Sequence, residues 1–280
     1  MQQIFLCSIS NVSSGDCSED CAYCTQSSHH QGQIRRYKFK KTEEVVQEAK
    51  RLHQLGALGF CLVTSGRDLD LQKCEYIARL AQAIKQEIPH LHLIACCGRA
   101  DVASLKFLKQ HGIDSYNHNL ETSEKFFKNI CTTHPWEERY QTCENTLEAG
   151  LSLCSGGIFG LGESIEHRIE LLKVLRSLTP ATTPINFFIP NPSLPIKEPV
   201  LSPEEALECL ILAREFLPKT RLMVAGGREV VFGKNQREIF EYGVNAIVLG
   251  DYLTTKGNAP HHDLQMLKEY GLSIATSCDG

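Results

Sequence analysis

The chain has 280 residues, of which 42% are hydrophobic and 22% are charged, and its formal net charge is −4. This length allows one large domain or two modest ones with a sizeable core, and the composition argues against a disordered chain. The charges form no blocks of like sign, which argues against a nucleic-acid-binding surface and a polybasic membrane anchor.

Short apolar runs alternate with segments of helical period along almost the whole sequence, which is typical of repeated βα units around a parallel sheet. The sequence predicts eight strands, over residues 3–10, 59–64, 91–97, 114–119, 151–158, 184–189, 220–225 and 245–250. Predicted helices begin near Thr42, Gln72, Asp101, Pro135, Ile165, Ser202, Lys234 and Pro260. Without a visible domain linker, eight such units predict a single α/β domain over residues 1–280. We expect a (β/α)8 TIM-type barrel, with a doubly wound open sheet as the alternative.

The thirteen cysteines indicate metal binding rather than disulfides. No apolar run approaches the roughly 18 residues of a membrane-spanning helix, and the first residues lack the basic start and long apolar core of a signal peptide. We therefore expect a cytoplasmic protein that is not bound to a membrane. Cytoplasmic thiols stay reduced and thirteen is an odd number, so some of these cysteines are expected to hold metal.

Three thiols lie close together directly after the first predicted strand. Residues 17–24 read CSEDCAYC and contain Cys17, Cys21 and Cys24. A loop with this spacing can wrap three thiolates around one iron-sulfur cube and leave the fourth iron open. The alternative is a structural zinc site. Zinc normally takes four protein ligands, and only His29 or His30 lies near enough in the sequence to complete such a set.

This loop resembles the cluster loop of the radical S-adenosylmethionine (SAM) superfamily. Other segments resemble the biotin synthase family, in the order and with the separations of that family. They are residues 14–27 (SGDCSEDCAYCTQS), 116–122 (YNHNLET), 154–158 (CSGGI) with 160–163 (GLGE), and 225–229 (AGGRE). The resemblance implies a (β/α)8 barrel, in agreement with the eight predicted units, with iron-sulfur clusters at its carboxyl-end mouth and in its lumen.

The resemblance also implies an activity, namely a radical SAM sulfurtransferase that inserts sulfur into dethiobiotin to form biotin. Cys17, Cys21 and Cys24 would hold a 4Fe-4S cluster whose open iron binds SAM, and one electron would release a radical that takes hydrogen from substrate carbon. A second cluster, of the 2Fe-2S type, would supply the sulfur. The implied partners are an electron donor such as flavodoxin or ferredoxin and the iron-sulfur assembly machinery, and the implied oligomer is a homodimer.

For the second cluster, the resemblance implies four ligands, which are Cys61, Cys96, Cys154 and Arg221. They fall on the second, third, fifth and seventh predicted strands. One residue from each of four parallel barrel strands can converge in the lumen, because side chains alternate inward and outward. Each cysteine alone would more simply be a small buried hydrophobe. Cys97 is an alternative to Cys96 for the same ligand position. Arg228 is a second-ranked alternative to Arg221 as the arginine ligand. If Arg221 is buried, its charge needs an anionic partner.

The remaining site residues also come from the resemblance. The implied cofactor contacts are Tyr23, Asn119, Glu121, Gly156, Gly157, Gly160 and Gly162. The implied substrate contacts are Asn119, Asn186, Thr254 and Thr255. Two positions depart from the family: Glu121 stands where aspartate is common, and Gly59 stands where many relatives have arginine. No role is assigned to Cys7, Cys74, Cys131, Cys143, Cys209 or Cys278, although Cys74, Cys143 and Cys209 are expected to pack on helices.

Two alternative functions are open at this point. One is a sister radical SAM enzyme of the hydrogenase-maturation or methylornithine-forming type, which the four-residue lumen set argues against. The other is a non-catalytic iron-sulfur or zinc protein that senses redox state. Such a sensor would hold metal on Cys17, Cys21 and Cys24 without responding to SAM.

Overall fold

The computed structural model describes residues 2–278 and contains ten strands within that range. The strands are β1 (Gln3–Asn11), β2 (Gly59–Val63), β3 (His92–Cys96), β4 (Ser115–Asn117), β5 (Ser152–Cys154), β6 (Gly157–Phe159), β7 (Thr182–Phe187), β8 (Arg221–Val224), β9 (Ala246–Val248) and β10 (Ser273–Ile274). The helices are α1 (Thr42–Gln54), α2 (Leu71–Glu87), α3 (Val102–Gln110), α4 (Glu124–Phe127), α5 (Trp136–Glu148), α6 (Ile165–Leu178), α7 (Pro203–Phe216), α8 (Arg228–Phe232), α9 (Arg237–Glu241) and α10 (Pro260–Glu269). None of the helices in the described range is long and apolar enough to cross a membrane.

Strands β1 to β9 close into a parallel barrel of eight positions. β1 pairs with β2 on one side and with β9 on the other, which closes the sheet. The order around the barrel follows the order along the chain, and β5 and β6 together occupy one position beside β7. The predicted (β/α)8 barrel is confirmed, and the open-sheet alternative is wrong.

The fifth barrel position differs from its prediction. The sequence predicts one strand over residues 151–158, but Ser155 and Gly156 separate β5 from β6. The cause is a close approach of two backbones, since a Cβ on Gly156 would lie 1.9 Å from the carbonyl oxygen of Pro184 in β7. A glycine inside a strand often marks such an approach, and here it divides the strand into two short pieces.

The helix starts are confirmed within one residue for seven of the eight predictions. The exception is the helix predicted near Lys234, where the chain instead forms the short helices α8 and α9. Gly233, at φ +52° and ψ −120°, ends α8 because this backbone conformation cannot continue a helix. Helix α4 was not predicted; it is one turn long, and the Ser123 hydroxyl accepts a hydrogen bond from Phe126 N at 3.3 Å to cap it.

A tenth strand extends the sheet beyond the barrel. β10 pairs in parallel with the start of β1, where Gln3 faces Ser273 and Ile4 faces Ile274. Two residues carry too little alternation to show a strand in the sequence. This pairing brings the last described residues back beside the first strand of the barrel.

The apolar core has an outer layer and an inner layer. The outer layer fills the space between the strands and the surrounding helices, and the inner layer lies in the lumen. Alternation along β1 directs Phe5, Cys7 and Ile9 into the lumen, whereas Ile4 and Leu6 pack on the outside. The barrel therefore has a mixed lumen in which sulfur atoms lie among apolar side chains.

Candidate active site

A cavity of about 720 Å³ extends from the barrel mouth into the lumen. Many of the predicted site residues line it, namely Tyr23, Cys24, Cys61, Cys96, Asn119, Glu121, Cys154, Asn186, Arg221, Thr254 and Thr255. The lining of this cavity does not include Cys17, Cys21 or the four predicted glycines. The fold thus brings residues from nearly the whole chain around one space.

The loop that carries the first three thiols folds back on itself through backbone hydrogen bonds. Cys17 N donates to Gln26 O at 3.1 Å, and Ser28 N donates to Cys17 O at 2.8 Å. Cys24 N donates to Cys21 O at 3.0 Å, which forms a tight turn between the second and third cysteines. The loop therefore holds all three thiols beside the carboxyl end of β1.

The environment of these thiols favours the protonated form. Burial raises the pKa of Cys17, and it raises the pKa of Cys24 to about 11. The pKa of Cys21 is raised by its hydrogen bond to Cys131 and by burial. Iron binds thiolates, so binding it at these residues releases protons.

Residues 19–22 are tied to residues 130–134, which lie just before α5, in a contact that we call the clasp. Ala22 N donates to Ile130 O at 2.8 Å, and Thr132 N donates to the Asp20 carboxylate at 2.9 Å. Asp20 N in turn donates to Thr133 Oγ1 at 3.2 Å. The clasp fixes the position of the middle cysteine of the loop.

Inside the clasp, Cys21 contacts Cys131, and Cys131 contacts His134; neither contact was predicted from the sequence. Cys21 Sγ donates to Cys131 Sγ at 3.7 Å, and Cys131 Sγ lies 3.3 Å from His134 Nδ1. The three possible ligand atoms lie within 4.8 Å of one another. However, His134 Nδ1 is bonded to the Glu19 carboxylate, and Arg139 Nε donates to His134 Nε2 at 3.2 Å. Both ring nitrogens are thus engaged in hydrogen bonds.

The zinc alternative required a nearby histidine, and the structure does not support it. His29 Nε2 lies 2.9 Å from Ser18 O, and His30 Nε2 lies 3.1 Å from Cys21 O. Both rings therefore donate to backbone carbonyls of the loop instead of facing a thiol.

Glu121 lies at the cavity wall with one unused oxygen. Its Oε1 is 3.6 Å from Arg139 Nη1, which also donates to Asn119 O at 3.0 Å. Within the described residues, the buried Oε2 has no hydrogen-bond partner. Burial raises the pKa of Glu121, although Arg139, Tyr23 and Asn119 act to lower it. The free oxygen is suited to a ligand that brings a hydroxyl donor.

Glu121 also has an unusual backbone conformation, with φ at +67°. This left-handed region is uncommon for residues other than glycine, so the conformation of Glu121 indicates a functional role. Arg139, on α5, was missed by sequence reasoning because nothing in the helix pattern distinguishes it from a solvated arginine.

The two predicted substrate asparagines are held differently. Asn119 lies two residues after β4, so its predicted placement on a strand is wrong, and its Oδ1 accepts from Gly156 N at 3.2 Å. Asn186 lies on β7 as predicted; its Oδ1 accepts from Gly226 N at 2.9 Å, and its Nδ2 donates to Gly157 O at 3.2 Å. Both side chains line the cavity.

The backbone itself requires glycine at the predicted glycine positions, whether or not a ligand binds there. A Cβ on Gly157 would lie 2.6 Å from Glu121 O, so this glycine permits close packing of two backbones, as Gly156 does against β7. Gly160 and Gly162 have positive φ, and the Glu163 carboxylate accepts from Gly160 N at 2.9 Å. Contact between these glycines and a cofactor stays a prediction.

The lumen contains more thiols than the three predicted. Cys61 lies within β2, Cys96 ends β3 and Cys154 ends β5. Cys7 on β1 and Cys278 line the same cavity. Burial raises the pKa of Cys61 well above its ordinary value, and the neighbouring Cys96, Cys7 and Cys154 raise it further. Cys7 was missed, although its alternation with Phe5 along the first predicted strand was a usable signal.

Cys96, and not Cys97, faces the cavity. Cys97 is fully buried in the layer between the sheet and the helices, and its Sγ donates to Leu62 O at 3.9 Å. Burial raises the pKa of Cys96 to about 12, and Asn117 forms a hydrogen bond that acts to lower it. Asn117 was also missed; within the described residues, its buried Oδ1 has no partner.

Arg221 is the first residue of β8 and lies near two of these thiols. Both Arg221 and Cys154 pair with Thr182 of β7. The charge of Arg221 acts to lower the pKa of Cys7 and of Cys154, although burial raises both pKa values by more. Its guanidinium lies 4.1 Å from the centre of the Phe5 ring, and its Nη2 donates to Cys278 O at 2.7 Å.

Arg228 belongs to a separate network. It is the first residue of α8, and its side chain is fully buried. It donates to Asp263 at 2.8 Å and to Glu229 at 3.0 Å. The structure therefore places Arg221, and not Arg228, beside the lumen thiols.

Thr254 and Thr255 lie at the exposed rim of the cavity. Thr25 Oγ1 donates to Thr254 Oγ1 at 2.9 Å, which joins the rim to the cysteine loop. Tyr252 N donates to Thr255 O at 3.0 Å, and this turn orients the two threonines.

Three cysteines away from the site were predicted to pack on helices. All three are buried on helices in the structure, namely Cys74, Cys143 and Cys209.

Comparisons with known proteins agree with this geometry. The Radical SAM superfamily profile matches residues 11–175, and the Biotin and Thiamin Synthesis associated domain profile matches residues 184–273. Biotin synthase of Helicobacter pylori is 70% identical over 99% of this chain and 100% of its own length. Biotin synthase of Helicobacter hepaticus is 65% identical over 99% of this chain and 98% of its own.

Solved structures with the same fold include two proteins at low identity. Methylornithine synthase is 18% identical, with a TM-score of 0.82 over 99% of this chain and 85% of its own. The FeFe-hydrogenase maturase HydG from Carboxydothermus hydrogenoformans is 20% identical, with a TM-score of 0.82 over 99% of this chain and 69% of its own. At these identities the likeness concerns the fold alone.

The closed barrel, the three-cysteine loop and the superfamily profile define a radical SAM enzyme. Identity at the level of 70% over nearly the whole of both chains is more specific. The chain belongs to the biotin synthase family, whose members are radical SAM enzymes that insert sulfur.

Proposed function

We propose that this chain converts dethiobiotin to biotin by inserting sulfur. The observation that carries the proposal is that one cavity reaches from Cys24, in the first cysteine set, to a second set in the lumen that consists of Cys61, Cys96, Cys154 and Arg221. The second set, on four separate strands, is suited to the enclosed sulfur source that this reaction requires.

The residues fit the cofactors that the family implies. Cys17, Cys21 and Cys24 offer three thiolates, the number that leaves one iron of a 4Fe-4S cluster open for SAM. Cys61, Cys96, Cys154 and Arg221 offer a donor set for a 2Fe-2S cluster. When bound, the first cluster with SAM supplies a carbon-centred radical that takes hydrogen, and the second supplies sulfur.

The cavity wall would orient the cofactor and the substrate. The unpartnered Glu121 oxygen is suited to a ribose hydroxyl, and Arg139 holds the carboxylate in place. Asn119 and Asn186 offer amide groups that match the donors and acceptors of a cyclic urea. Thr254 and Thr255 would bind the substrate carboxylate at the rim. The apolar lumen side chains keep water away from the reacting carbon.

Arg221 has an electrostatic task in this proposal. Three thiolates and bridging sulfides carry negative charge, which is costly in a buried lumen unless a cation compensates it. Arginine keeps its positive charge at any working pH, and its position beside Cys7 and Cys154 places that charge near the thiols.

We further propose that the chain acts as a single domain, in a homodimer, in the cytoplasm. Within the described residues, none of the cysteines forms a disulfide, which suits a reducing compartment. An electron donor such as flavodoxin or ferredoxin would supply electrons, and the iron-sulfur assembly machinery would rebuild the sulfur source. Family resemblance is the support for the dimer and for these partners, and light scattering of the purified protein tests the dimer.

The test of the proposed function is an anaerobic assay of the cluster-loaded protein with dethiobiotin, SAM and a reductant. We expect both biotin and 5′-deoxyadenosine. Formation of 5′-deoxyadenosine without biotin would indicate a sister radical enzyme with another substrate. Formation of neither product would contradict the proposal.

A further inference from the structure

The two sides of the clasp run antiparallel, and this places Cys21 directly opposite Cys131. On one side of the pair, Ala22 faces Ile130 through a backbone hydrogen bond of 2.8 Å. On the other side, Asp20 faces Thr132, whose amide donates to the Asp20 carboxylate at 2.9 Å. The Cβ atoms of a disulfide lie about 3.5–4.5 Å apart, so the bond requires two backbones that are held close together, as the clasp holds these.

The sulfur atoms already face each other. Cys21 Sγ and Cys131 Sγ are 3.7 Å apart, so a small rotation of the two side chains brings them to the bond length of about 2.05 Å. His134 Nδ1 at 3.3 Å and Thr133 Oγ1 at 3.5 Å hold Cys131 Sγ on this side of its segment. Because the hydrogen bonds of the clasp fix both backbones, the two thiols stay together without the help of a metal.

We propose that Cys21 and Cys131 form a reversible disulfide whenever iron leaves Cys21 in the presence of a peroxide. The inference deepens the proposed function, because it takes Cys21 as a cluster ligand. The juxtaposition of the two sulfurs stands independently of that assignment.

The reaction balances with one hydrogen peroxide for each disulfide. The sulfur of Cys131 attacks one peroxide oxygen, the O–O bond breaks, and a sulfenic acid and one water result. The sulfur of Cys21 then attacks the sulfenic sulfur, the S–S bond forms and a second water leaves. Both thiols are oxidised and the peroxide is reduced. Only 6% of Cys21 and 4% of Cys131 is exposed, so a small oxidant is the class that reaches them.

The disulfide would protect the cluster loop. A free thiol at Cys21 can be oxidised beyond the sulfenic stage to sulfinic acid, which ordinary reductants do not reverse. Pairing with Cys131 stops the oxidation at a stage that a dithiol reverses. After reduction Cys21 is again available to bind iron.

The test uses the full-length chain. Iron is removed with a chelator without oxygen, hydrogen peroxide is added, free thiols are blocked with N-ethylmaleimide, and peptides are mapped without reduction. We expect a linked pair of tryptic peptides in which fragmentation assigns the bond to Cys21 and Cys131. Dithiothreitol should separate the pair and restore cluster loading, measured by visible absorbance.

Two variants make the test specific. Cys131→Ser keeps the side-chain size and should abolish the linked pair, while Cys143→Ser, which changes another buried thiol, should leave it unchanged. The inference is overturned if Cys131 remains fully alkylated while Cys17, Cys21 and Cys24 oxidise among themselves. The biotin assay of cluster-loaded wild type tests the proposed function separately, because it does not depend on the linked peptide.

Discussion

The cysteine loop and the lumen set hold their thiols in opposite ways. Cys17 and Cys24 belong to an irregular loop whose shape depends on hydrogen bonds to its own backbone and to the clasp. Cys61, Cys96 and Cys154 lie on three barrel strands, whose positions are fixed by the sheet. The loop holds its thiols at the barrel mouth, whereas the strands enclose theirs in the lumen. The first arrangement suits a cluster that must meet a cofactor at the mouth, and the second suits one kept away from solvent.

The largest effect is expected from Cys21→Ala. Removing one of three loop thiols should lower cleavage of SAM to background, because no other thiol of the loop replaces it, while the lumen thiols still bind iron. The measurement is 5′-deoxyadenosine by mass spectrometry, with Cys74→Ser as a control on α2. Normal cleavage in Cys21→Ala would contradict the assignment of the loop.

Cys154→Ala should impair the lumen set and leave the cysteine loop intact. We expect cleavage of SAM to continue and biotin formation to be lost, since the change removes a lumen thiol and leaves the loop untouched. The same assay measures both products. If biotin formation survives in this variant, the lumen set is not the sulfur source.

Glu121→Gln should weaken cofactor binding without removing either cluster. Hydrogen bonds to a charged group contribute about 1.5–3 kcal/mol, so the KM for SAM should rise by roughly 10- to 100-fold. Burial raises the pKa of Glu121, so the wild type should bind SAM less well as the pH falls through that raised value and the carboxylate is protonated. The variant should lack this pH dependence. An unchanged KM would remove Glu121 from the cofactor site.

The smallest effect is expected outside both regions. Asp101 caps α3 by accepting from Ser104 N at 2.7 Å, and this bond lowers the pKa of Asp101. Asp101→Ala should reduce stability by about 1 kcal/mol in urea unfolding, and Asp101→Asn, which keeps the cap, should cost less. A lowered pKa gives stability that is present above the unfolded value of about 3.9 and lost as the pH falls. The difference between wild type and Asp101→Ala should therefore shrink in acid.

The sequence was most informative where the chemistry is local. Three cysteines in residues 17–24 are visible as a metal loop by spacing alone, and the eight-unit barrel follows from the period of the apolar residues. The lumen set could not be recognised from local spacing. Its members lie on separate strands, so the resemblance to a family, and not any pattern in the residues, selected them from thirteen cysteines.

Contacts between distant segments could not be read from the sequence. Cys131 faces Cys21 across 110 positions, and Arg139 reaches Glu121 from the surface of α5. Gly156 interrupts the fifth strand only because Pro184 approaches it. In each case the deciding interaction exists only after the barrel has closed.

The most direct test of the central claim is Mössbauer spectroscopy of the anaerobically reconstituted protein before and after turnover with dethiobiotin and SAM. The account predicts one 4Fe-4S and one 2Fe-2S cluster per chain, with the 2Fe-2S signal lost in step with biotin formation. A single 4Fe-4S cluster, or a 2Fe-2S signal that persists while biotin accumulates, would contradict it.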